Sequence, residues 1–67
     1  MREGVVASFD DPRGLGLVRS DDDGTEYPFH CTAIADGTRA IDEGARVSFE
    51  VVAGHMGRWE ASHITKA

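Results

Sequence analysis

Turn chemistry interrupts this chain at short intervals, and no apolar pattern between the interruptions is long enough for a stable helix of its own. Asp10-Asp11-Pro12-Arg13-Gly14 combines aspartates that bond their own backbone, a proline that fixes φ and a glycine that tolerates unusual φ. Asp21-Asp22-Asp23-Gly24 carries an Asp-Gly hairpin signal. Ala53-Gly54-His55-Met56-Gly57 is a third turn, and Gly37 and Gly44 punctuate a loop over residues 35–45. The segments left between these breaks read as strands over residues 3–9, 14–20, 26–31, 46–52 and 58–65, with a helical turn at 32–34. The fourth alternates plainly, with Val47, Phe49 and Val51 on one face and Arg46, Ser48 and Glu50 on the other.

Five short strands in 67 residues cannot make two full sheets. Curling into a barrel removes exposed edges, so the expected fold is all-β: one domain over residues 1–67, a small five-stranded antiparallel barrel of the OB type. Within it the second strand is unusual. Leu15 and Leu17 share one face and Val18 points to the other, so the strand is apolar on both sides. One face must meet the core, which leaves the other to face something else.

Composition narrows the functions. The net charge of −5 repels phosphate at long range, so any nucleic-acid binding must rely on a local neutral or basic face. The acidic clusters at Asp10-Asp11, Asp21-Asp22-Asp23 and Asp42-Glu43 read as solvated turns. No run is long enough to span a membrane and no signal peptide is evident, which points to the cytoplasm and away from a membrane partner. A single cysteine, Cys31, forbids an internal disulfide. It adjoins His30 without a metal-ligand spacing, and His55 and His63 lack a cysteine partner, so no metal or other cofactor is expected. No nucleophile–base–orienter set can be read from the spacing, which argues against an enzyme.

Nearly the whole chain resembles the bacterial cold-shock proteins. The segments that carry the likeness are Gly4-Val5-Val6-Ala7-Ser8-Phe9, Arg13-Gly14-Leu15-Gly16-Leu17-Val18, Glu26-Tyr27-Pro28-Phe29-His30-Cys31-Thr32-Ala33-Ile34, Ile41-Asp42-Glu43-Gly44-Ala45-Arg46-Val47-Ser48-Phe49-Glu50-Val51, and the stretch from Gly57 to Ile64. The spacing departs by one residue fewer before Gly37 and about one more near Trp59. The resemblance implies a module for single-stranded RNA or DNA, acting as an RNA chaperone or a regulator of transcription and translation. In that family, aromatic side chains on one face stack successive bases, an interaction worth roughly 1–3 kcal/mol per base.

This chain departs from the family where the aromatics matter most. The family's tryptophan position is Ser8, its paired phenylalanines are Leu15 and Leu17, its third-strand phenylalanine is Pro28, the one after the histidine is Cys31, and the loop phenylalanine falls near Thr38. Phe9 and His30 remain, with Arg13 as the retained basic residue. The nucleic-acid face expected from the resemblance is therefore Phe9, Arg13, Leu15, Leu17, Pro28, His30, Cys31 and Arg39, with Arg19 and Arg58 as further arginines able to stack on bases. Weakened or altered stacking follows.

Three points stay open at this stage. Tyr27 and Phe29 either fill the barrel interior or, if Pro28 bulges the strand, one of them turns outward. Trp59 either packs at a barrel end or joins an exposed face. The alternative function is a protein-interaction or homodimer module in which Leu15, Leu17, Pro28 and Cys31 form an apolar patch.

Overall fold

The computed structural model describes residues 2–54 and 57–67. Five strands form one antiparallel sheet: β1 (Arg2–Asp10), β2 (Leu15–Ser20), β3 (Glu26–His30), β4 (Arg46–Ala53) and β5 (Trp59–Lys66), in the spatial order β3-β2-β1-β4-β5. A 3-10 turn, Cys31–Ala33, follows β3. The sheet coils so that its two edge strands approach each other, and a parallel bridge between Ile34 and Ile64 ties the ends across the gap. The sheet is thus barrel-like without being closed, and the expected all-β OB-type architecture is present. The turn expected at 53–57 includes His55 and Met56, which lie outside the described residues.

The core is aliphatic with two phenylalanines. Val6, Val18, Phe29, Ile34, Ile41, Val47, Phe49, Ala61 and Ile64 are buried. Val18 is fully buried, as its place in β2 requires. Two bulges let the strands bend around this core. In β1 the register shifts between Val6 and Ser8, leaving Ala7 as the extra residue. In β4–β5 it shifts between Ser48 and Glu50, where His63 takes a left-handed φ of 50° and its Nδ1 lies 2.8 Å from Glu50 Oε2.

The acidic turns are more structured than solvated loops would be. Asp21 is paired with Arg46 at 2.6 Å, and its backbone N–H donates to Glu3 O. The Thr25 N–H donates to Asp23 Oδ1, which holds that carboxyl below its ordinary range. Asp36 is held low in the same way, chiefly by the Thr38 backbone N–H and hydroxyl and then by Lys66. These contacts fasten the β2–β3 turn to β4 and the long loop to β5.

Candidate nucleic-acid interface

The register of the first three strands sets the outward face row by row. Asp10, Leu15 and His30 form one row, and Ser8, Leu17 and Pro28 the next. Between them runs the inward row of Phe9, Gly16 and Phe29. Gly16 lies in the middle strand, and a Cβ there would drive into the Phe29 ring. Its missing side chain lets Phe9 and Phe29 meet across β2, with ring centroids 5.9 Å apart and planes within 8°.

The outward rows open onto a groove of about 560 Å³ lined by Ser8, Leu15, Gly16, Leu17, Pro28, Phe29, His30 and Glu60. Leu15 is 49% exposed, which is unusual for a side chain of its type in a strand. His30 stands at one end with its ring set by the following turn, since its Nδ1 accepts from the Thr32 N–H and lies 3.0 Å from the Thr32 hydroxyl. Four of the expected residues, Leu15, Leu17, Pro28 and His30, are therefore brought together.

The other four lie off the groove. Phe9 is the clearest departure from the expected arrangement, because the Ala7 bulge reverses the alternation of β1. Val6 points inward, and strict period two would send Ser8 inward with it; the extra residue instead turns Ser8 out toward Leu17 and Phe9 in onto Phe29. Phe9 supports the groove from beneath rather than forming its surface. Cys31 packs on the turn before β2: its N–H donates to Gly14 O at 2.7 Å, and a Cβ at Gly14 would meet its Sγ at 2.8 Å. Arg13 is exposed on that same turn and its Nε lies 3.6 Å from Asp10, so its charge is already partly answered. Arg39 sits in the long loop with a left-handed φ of 60°, away from the groove walls. Arg19 stands opposite Glu26 in register.

The open points resolve through the same register. β2 and β3 pair without a shift through Leu17 and Pro28, so Pro28 makes no bulge. Its missing N–H is tolerated because β3 is an edge strand. Phe29 is buried, and Tyr27 is half-buried against the core with its ring 6.0 Å from that of Phe49. Trp59 lies beside Arg2, Tyr27 and Val51 but is 61% exposed, so it is no packed barrel-end residue.

Glu60 is the groove residue that sequence reasoning missed. It belongs to the last strand, and only the approach of β5 to β3 brings it into the lining of a groove formed otherwise by β1–β3. Its place beside the exposed Trp59 in an alternating strand offers only a faint sequence signal. A Cβ at Gly54 would collide with the Glu60 side chain, so that glycine leaves the room Glu60 occupies.

Comparison with known proteins gives a consistent result. The family model of the 'Cold-shock' DNA-binding domain matches residues 2–67. The chain is 37% identical to cold shock protein CspD of Bacillus subtilis over 67 residues, covering 98% of each chain. It is 40% identical over 58 residues to cold shock-like protein CspA of Stigmatella aurantiaca, covering 85% of each. It is 38% identical over 64 residues to glycine-rich protein 2 of Nicotiana sylvestris, covering 94% of this chain but 30% of that protein. Among solved structures, drosophila Unr CSD456 matches with a TM-score of 0.80 and 29% identity, over 98% of this chain and 26% of the other. With an OB-type barrel, an outward groove on β1–β3 and these matches along its length, the chain belongs to the cold-shock domain family of nucleic-acid-binding proteins.

Proposed function

We propose that the groove over β1–β3 holds unpaired bases of single-stranded RNA or DNA by apolar contact rather than by aromatic stacking. Leu15, Leu17 and Pro28 supply the contact surface, Ser8 and His30 supply hydrogen-bonding groups, and Arg13, on the exposed turn before β2, exchanges Asp10 for a phosphate of the strand beyond the groove. The observation that carries this reading is the alignment of Leu15–His30 and Leu17–Pro28 in adjacent outward rows. Aliphatic side chains bury base surface but offer no flat π-face, so binding is weak and tolerant of sequence. The mechanism involves no bond chemistry. The corresponding role is that of an RNA chaperone or a modest regulator of transcription and translation in the cytoplasm. The protein-interaction reading of the same face lacks comparable support.

Titration of labelled oligo-dT and oligo-U at low and physiological salt tests the proposal. Binding that weakens with salt supports it, and no binding at tens of micromolar protein in low salt overturns it. The double variant Leu15→Phe, Leu17→Phe restores two stacking surfaces and is expected to tighten oligo-dT binding by about tenfold or more. An unchanged affinity would mean that bases do not contact this face.

A further inference from the structure

The groove offers only the His30 ring and the edge of the buried Phe29 as aromatic surface, but the molecule holds more elsewhere. Of the five aromatic residues, Phe29 and Phe49 are buried and Phe9 and Tyr27 pack against the core. Trp59 alone is largely exposed. It lines a cleft of about 290 Å³ with Arg2, Tyr27 and Val51. The Arg2 guanidinium lies 5.8 Å from the centroid of the Tyr27 ring, so the cleft joins a cation to an exposed indole. Asp23 lies within reach of the Arg2 charge, which that cation therefore shares.

This cleft and the groove meet at one seam. Where β3 approaches β5, Pro28 and Glu60 face the groove, and the residues just before them, Tyr27 and Trp59, face the cleft. Successive residues of a strand point to opposite sides, so the groove and the cleft open on opposite faces of the seam, and a chain leaving the groove reaches Trp59 by rounding it.

We infer that the Trp59 cleft is a second contact site for the same single strand, with the indole stacking a base beyond the groove and Arg2 meeting its phosphate. This rests on the nucleic-acid reading of the groove and adds to it a strand path across the β3–β5 seam. It also accounts for a cation and an aromatic surface at the barrel end of an acidic protein: together they suit an anionic, π-faced ligand.

Trp59 is the sole tryptophan, so its fluorescence reports on the site without a label. Titration with oligo-dT of roughly 4–16 nucleotides, the usual span of one such fold, is followed in parallel by Trp59 emission and by anisotropy of an end-labelled oligonucleotide. The expected result is quenching that saturates with the anisotropy curve, a roughly tenfold loss of affinity in Trp59→Ala, and most of the affinity kept in Trp59→Phe. A smaller loss in Arg2→Ala, with a shallower salt dependence, is expected as well. Binding by anisotropy with the same affinity in Trp59→Ala overturns the inference and leaves the groove reading standing. No binding by either signal overturns both.

Discussion

Single residues decide what the outward face offers a base. Ser8 and Phe9 exchange sides because of one extra residue at Ala7, which converts the remaining first-strand aromatic from a contact surface into a support for Phe29. Glu60 has the opposite effect, adding an acidic residue to the lining of the groove proposed to hold a polyanion. Its cost is Coulombic, and at a half-exposed site it is of the order of an exposed ion pair, about 0.2–1 kcal/mol. Glu60→Gln keeps the shape and removes the charge, so oligo-dT binding at low salt is expected to tighten by roughly two- to fivefold. Equal affinity for both proteins in a titration would show that the bound strand keeps its phosphates away from this wall.

Among the elements, β2 bears the most constraint. It lies between β1 and β3, and its Gly16 is the floor over which Phe9 and Phe29 stack. A methyl group at that point has no free space and must push the Phe29 ring aside. Gly16→Ala is therefore expected to destabilise the domain by about 1–3 kcal/mol, the usual cost of overpacking a core, measured by urea unfolding. For a chain of this size total stability is about 3–10 kcal/mol, so Gly16→Val is expected to leave little folded protein. A neutral Gly16→Ala would mean that the two rings can separate without loss. The edge strand β3 shows the reverse tolerance, since Pro28 sits in register without a bulge where a central strand would have lost a ladder bond.

At the scale of the molecule, charge and closure act together. With a net charge of −5 and few cations near the groove, few phosphates can be neutralised, and the slope of log K against log salt is expected to be shallow, about −0.7 per phosphate contacted. A steep slope in the same titration would require a cationic surface elsewhere. The carboxylates that fasten the loops add a pH dependence of stated sign. Asp23 and Asp36 have folded pKa values below the ordinary Asp value of 3.8, so their stabilisation is complete above that value and is lost as pH falls through the lower folded values. Their carboxyl resonances are expected to titrate below the usual Asp range, and Thr38→Ala, which removes the hydroxyl bond but keeps the larger contribution of the backbone N–H, should move the Asp36 transition part of the way back; an unmoved transition would remove the Thr38 hydroxyl as a cause. The sequence was legible where turn chemistry and period-two alternation act locally: the strand segments and the placing of Leu15 and Leu17 on the face opposite Val18 follow from spacing, and the resemblance adds which of the two faces is outward. The Ala7 bulge was not legible, because an extra residue in one strand is defined only by its partner strand, and with it went the placement of Phe9. Glu60 and Trp59 were hidden for a related reason. Their positions beside Pro28 and Tyr27 exist only because the coiled sheet brings its two edges together, a long-range closure that no local pattern encodes. The sequence by itself thus determined the strands and the aliphatic face of β2, through local sterics and alternation. The tertiary structure alone decided what surrounds that face, because the residues on its far wall arrive from the opposite edge of the sheet.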